Sequence, residues 1–172
     1  EVNWNAKNVK DGSFLSGLFS NAGISGEGIE FIFGDTVESI PAYLCSVTQS
    51  SYAPKITSIT IGKNVTNVGS HAFEGCRRLE KVVWNAKEVE TVSSDLFYDA
   101  GTSGNGIEFI FGDTVEKIPA DLCCVSSTDN SPKITSITIG DNVANIGNSA
   151  FRDCTRFSTI NLPDSLTVIG DS

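Results

Sequence analysis

The nonapeptide Pro-Lys-Ile-Thr-Ser-Ile-Thr-Ile-Gly occurs twice in 172 residues, at 54–62 and again at 132–140, an offset of 78 positions. Its surroundings are copied with it. Gly28–Cys45 returns as Gly106–Cys123 with 16 of 18 positions identical, and Pro54–Cys76 returns as Pro132–Cys154 with 16 of 23. Near the start, VNWNAKNV (Val2–Val9) comes back as VVWNAKEV (Val82–Val89). The chain is therefore nearly two copies of a unit of about 78–80 residues. Internal repetition of this kind restricts a chain to stacked architectures, in which each unit completes its core only against its neighbours.

A shorter unit lies inside the long one. An apolar residue opens it, two more follow at the fourth and sixth places, one falls near the tenth and another near the thirteenth, and an apolar pair follows. The sixth place is held by Trp4, Phe33, Ile61, Trp84, Phe111, Ile139 and Leu162, at spacings of 29, 28, 23, 27, 28 and 23 residues. Places four to six alternate and favour β-branched or aromatic residues, as in Ile59-Thr60-Ile61 and Val82-Val83-Trp84, which is a strand pattern. About seven units follow in a single domain over residues 1–172, with strands expected near 2–4, 29–33, 56–61, 79–84, 107–111, 134–139 and 157–162. Strands that all run one way through a stacked coil form a parallel sheet. Gly62, Gly112, Gly140 and Pro163 end strands and turn the chain. No long segment has a period of ~3.6 residues, so the returns on the other face are expected to be irregular or short-helical.

The frame I-x-I-(G/P)-x-x-V-x-x-I-G-x-x-A-F-x-x-C-x-x-L, read as ITIGKNVTNVGSHAFEGCRRL over Ile59–Leu79 and as ITIGDNVANIGNSAFRDCTRF over Ile137–Phe157, resembles the BspA-type leucine-rich repeats, also called the Treponema pallidum class. A third pass, INLPDSLTVIG, is shortened, and four units depart by carrying longer returns with Leu18-Phe19, Leu44-Cys45, Leu96-Phe97 and Leu122-Cys123 in place of Ala-Phe. The resemblance implies a leucine-rich-repeat solenoid with a parallel β-sheet on one face. It also implies a secreted or surface-attached bacterial protein, some relatives of which adhere to host matrix proteins.

Composition narrows the partners. Twelve Lys and Arg against twenty-one Asp and Glu give a formal charge of −9, which argues against nucleic acid, since phosphate binding needs concentrated positive surface. No apolar run approaches the ~20 residues that span a bilayer, so no membrane insertion is expected within these residues. The absence of Met and the abrupt close at SLTVIGDS suggest a piece of a longer protein.

Candidate chemistry is thin. Cys76 and Cys154 share one column of the repeat three units apart, roughly 14 Å at ~4.8 Å per strand, beyond the ~7 Å reach of a disulfide. Cys45 and Cys123 fall in the column otherwise held by Phe19, Phe73, Phe97 and Phe151, and read as buried free thiols. Cys124 breaks the columns and is either exposed or, on oxidation, a partner for Cys123 or Cys154. No metal site or cofactor is expected, since no C-x-x-C is present and a single His gives no second ligand. Trp4 and Trp84 point inward by position. His71 is matched by Ser149 in the second copy, so the repeat does not need a general base there. GISGEG (Gly23–Gly28) lacks the Lys-Ser/Thr ending of a phosphate loop, and FGDTVE (Phe33–Glu38, Phe111–Glu116) lacks the acidic density of a calcium loop.

Strand residues between the buried ones must face outward. They form a surface containing Glu30, Ile32, Thr60, Val83, Glu108, Ile110 and Thr138, edged by Asp35 and Asp113. Ile32 and Ile110 are apolar where solvent is expected. A protein or glycoprotein ligand, anchored on the isoleucines and attracted by the carboxylates, suits this face. A spacer whose acidity maintains solubility suits it equally. The returns offer a rival site through Tyr43, Tyr52 and Tyr98 and through the divergent segments Ser46–Ala53 and Cys124–Ser131.

Overall fold

The structure is a computed structural model, and it describes residues 1–7, 18–46 and 53–171. Six strands form one sheet: β1 (Val2–Trp4), β2 (Ile29–Phe33), β4 (Ile56–Ile61), β6 (Lys81–Trp84), β7 (Ile107–Phe111) and β9 (Ile134–Ile139). They lie in the order β1-β2-β4-β6-β7-β9 with every pairing parallel. Between them, short strands on the return side stack in the same direction. β3 (Ser39–Ile40) pairs with β5 (Asn67–Val68), and β10 (Asn145–Ile146) lies between β8 (Lys117–Ile118) and β11 (Val168–Ile169). A single 3₁₀ turn at Thr128–Asn130 is the one helical element among the described residues. The molecule is a stack of coils around one core, a leucine-rich-repeat solenoid of about five turns.

The register explains the repetition. Phe31 pairs with Ile59, Ile59 with Val82, Val82 with Phe109 and Phe109 with Ile137, and all five are buried. Two residues on, Phe33, Ile61, Trp84, Phe111 and Ile139 make a second buried column. Further columns on the return side hold Val37, Val65, Val115 and Val143, and then Ile40, Val68, Val92, Ile118 and Ile146. Each column meets the same kind of neighbour above and below, so the same residue type satisfies every level. A bulge interrupts the start of β2 and of β7 in the two copies alike, between Ile29 and Glu30 and between Ile107 and Glu108. It leaves Thr57 and Thr135 to hydrogen-bond the carbonyls of Ile29 and Ile107 at 3.2 and 3.3 Å.

One left-handed turn in each return is made without glycine. Tyr43, His71, Asp95, Asp121 and Ser149, one per coil, all take φ between +51° and +68°. The buried residue that follows each of them is Leu44, Ala72, Leu96, Leu122 or Ala150. The left-handed residue thus reverses the chain so that the next side chain plugs the end of the core.

The seventh expected strand does not form. Residues 157–162 are unpaired with β9, and Leu162 is 48% exposed. Only Ile160 and Phe157 of this segment pack, partly buried, against the core. A strand of such a sheet is held by pairing with its neighbour and by burial of its alternate residues. No described residue lies on the far side of 157–162, and Pro163 removes the next backbone donor. The last coil forms strand pairing on its return side, by way of β11.

Candidate protein-binding face

Outward positions of the main sheet line up as strictly as the inward ones. Asn3, Ile32, Thr60, Val83, Ile110 and Thr138 are consecutive in register, so adjacent side chains stand ~4.8 Å apart. Thr138 and Asn3 are exposed, whereas Ile32, Thr60, Val83 and Ile110 are half-buried by one another. The lane beside it runs Glu30, Ser58, Lys81, Glu108 and Ser136. Lys81 and Glu108 approach to 3.7 Å with both side chains about half exposed, a pair of small energetic weight. The structure therefore places Glu30, Ile32, Thr60, Val83, Glu108, Ile110 and Thr138 on one face.

Asp35 and Asp113 sit just past the ends of β2 and β7, and their surroundings differ. The Asp35 carboxylate contacts Lys63 Nζ at 3.0 Å and accepts from Lys63 N at 3.3 Å. These hydrogen bonds, side chain first, hold its pKa below the usual carboxylate value. Asn64 and Asn142 brace the two turns identically, each donating to the carbonyl of Asp35 or Asp113, at 2.7 and 2.8 Å. The residue 78 positions after Lys63, however, is Asp141. The first copy neutralises its margin and the second doubles its negative charge.

The tyrosines lie elsewhere. Tyr43 is 42% exposed on the return side, where its ring stacks on His71 at 4.9 Å and 7°. Tyr98 is half-buried, and its carbonyl accepts from Gly75 N at 2.8 Å. Both are remote in the fold from the strand lane, and Tyr52 lies outside the described residues. Trp84 is fully buried and donates from Nε1 to the Ala86 carbonyl at 3.1 Å. Trp4 packs on Phe31 and Phe33, and its Nε1 has no hydrogen-bond partner among the described residues.

His71 has company that its sequence position did not suggest. Ser46 Oγ donates to Glu74 Oε2 at 2.9 Å, and His71 Nδ1 lies 3.2 Å from the same oxygen without the alignment of a hydrogen bond. The carboxylate stands between the hydroxyl and the imidazole, the reverse of the order in which a base activates a nucleophile. The second copy replaces the set with Cys124, Ser149 and Arg152. Among the described residues, no three His, Cys, Asp or Glu side chains gather closely enough to hold a metal ion, and no helix is long and apolar enough to cross a membrane.

Two features escaped the repeat frame. The thiols of Cys45 and Cys76 neighbour one another across adjacent coils, as do those of Cys123 and Cys154. The partners are 31 residues apart in both copies, one coil of 28 plus three, a diagonal that column alignment does not reveal. The second is a pair of cationic clefts on the edge that precedes the strands.

With fold and face described, the sequence as a whole can be placed. The profile of the BspA type leucine rich repeat region, in six copies, matches residues 45–128 and 126–172. The chain belongs to this family of leucine-rich repeats. A crystal structure at 2.50 Å of a leucine-rich repeat protein from Eubacterium ventriosum ATCC 27560 is similar in fold, with a TM-score of 0.50 and 24% identity. The similarity covers 84% of this chain and 42% of that protein, so the chain spans less than half of its length. No curated protein matches in sequence. Repeats of this family generally bind proteins, and the family and fold are typically non-enzymatic.

Proposed function

We propose that the chain is a non-enzymatic binding module of a bacterial surface or secreted protein, and that it adheres to a protein or glycoprotein of a host or matrix. The observation that carries this reading is the in-register lane of Ile32, Thr60, Val83 and Ile110. It presents branched apolar groups on an outward face, where a partner's side chains gain burial that water cannot give. The flanking carboxylates of Glu30, Glu108 and Asp113 favour a partner with basic residues and accelerate encounter.

Biolayer interferometry against fibronectin, fibrinogen, laminin, collagen and mucin, at low and physiological salt, tests it. The expected result is saturable binding that weakens with salt and falls at least tenfold in the double variant Ile32→Glu, Ile110→Glu, with an unchanged melting profile. Silence across the panel at tens of micromolar protein would instead favour a stalk that holds another domain away from the cell surface.

A further inference from the structure

The edge preceding the strands is cationic, although the chain carries a net charge of −9. Eleven of the twelve Lys and Arg lie in described segments. Six are ion-paired: Lys7, Lys63, Arg77, Lys81, Lys117 and Arg152. Of the five with no carboxylate partner among the described residues, Lys55, Arg78, Lys133 and Arg156 line two clefts on this edge. The clefts are copies of each other. Lys55 and Lys133, Arg78 and Arg156, Ala53 and Ser131, and Ile24 and Thr102 each differ by 78 positions. Lys55 Nζ donates to the Gly26 carbonyl at 2.6 Å and Lys133 Nζ to the Gly104 carbonyl at 2.8 Å. Each ammonium is thereby fixed in the same place and keeps further N–H donors for a ligand.

We infer that this edge binds a sulfated polysaccharide, one anionic group in each cleft. The clefts begin at β4 and β9, three steps apart in the sheet, hence roughly 14 Å at ~4.8 Å per strand. The lining is cations and short hydroxyls: Ser103 in the first cleft, Thr102, Ser131 and Thr155 in the second. Lys and Arg supply charged donors to sulfate oxygens, and the hydroxyls pair with sugar hydroxyls. A protein partner would want a deep apolar anchor, and the first cleft's Ile24 is replaced by Thr102 in the second. Single-stranded nucleic acid would want aromatic platforms for its bases, and among the described residues neither lining contains one. The chain's overall negative charge acts at longer range and is screened beyond ~8 Å at physiological salt. The first cleft should dominate, because Asp129 lines the second.

Titration calorimetry with heparin-derived disaccharide and hexasaccharide tests this on the whole chain. The hexasaccharide reaches both clefts and should bind at least tenfold more tightly than the disaccharide, and its affinity should fall steeply with salt. Lys55→Gln with Arg78→Gln should weaken it at least tenfold, and Lys133→Gln with Arg156→Gln less. The Ile32→Glu, Ile110→Glu variant should bind it normally, which separates this site from the sheet face. Equal affinity for the two lengths, no binding, or equally tight binding of polyglutamate or a single-stranded oligonucleotide would each overturn the assignment.

Discussion

Cys45 sits one coil below Cys76, and both are buried. The hydrogen bond with Cys76, reinforced by burial, pushes its pKa well above the ordinary thiol value, and Cys154 with burial does the same for Cys123. A raised folded-state pKa makes stability complete below the unfolded thiol's pKa of ~8.5 and lost as pH rises above it. Each such thiol ionises first in the unfolded chain, which then binds fewer protons, at a cost of about 1.4 kcal/mol per pH unit. Urea unfolding at pH 8 and pH 10 should show the protein losing stability more steeply than the Cys45→Ala, Cys123→Ala variant. Parallel losses in the two proteins would remove the thiols from the account. Column logic reads these residues as core fillers from sequence, and their burial agrees. The diagonal contacts are invisible to it, because only the packed coil brings a residue three places along against the coil below.

At the scale of the element, the turns carry a demand on backbone and not on side chain. The left-handed position is filled by Tyr43, His71, Asp95, Asp121 and Ser149, which share no chemistry beyond two aspartates that tolerate this region. No residue pattern announces it. Gly69 and Gly147 are the opposite case. They recur at one place in the two copies, and the structure shows why. A Cβ on Gly69 would lie 2.6 Å from Ala42 Cα and 2.7 Å from the Pro41 carbonyl carbon, and one on Gly147 would lie 2.8 Å from Ala120 Cα. Their amides bond Ile40 and Ile118 carbonyls at 2.8 and 2.9 Å, so neither coil can back away without breaking the ladder. Gly69→Ala should cost about 1–3 kcal/mol by overpacking. Gly26→Ala, where nothing lies within 4 Å, should be neutral or slightly stabilising. Similar melting temperatures for the two variants would refute the close approach. The strand at 157–162 marks the limit of pattern at this scale: alternation states which residues would face inward, but pairing needs a neighbour to supply burial.

Across the whole molecule, a ladder of aromatic rings links the coils. Trp4 touches Phe31 and Phe33, Phe33 reaches Phe73 at 6.0 Å, and Phe73 stacks on Phe97 at 5.4 Å. Phe97 then meets Phe109, Phe109 meets Phe111, and the line continues through Phe151 to Phe157. The strand residues of this ladder, and the outward lane, are legible in the sequence because both follow the strand alternation, and Phe73, Phe97 and Phe151 are legible through the column they share. The cationic clefts are not, since each gathers residues from several successive coils. Phe73 is the rung where the ladder passes from the first long copy toward the second, and it is fully buried. Removing its ring opens a cavity that adjoining coils cannot close without shifting their own register, so Phe73→Ala should cost about 3–5 kcal/mol. Because each coil is stabilised by its neighbours, the loss should spread. Amide exchange should accelerate in β2, β4 and β6, which flank the cavity, and progressively less toward β9. Acceleration confined to residues next to position 73 would mean that the coils hold themselves up individually, and an unchanged melt would mean that the ring is no part of a shared core.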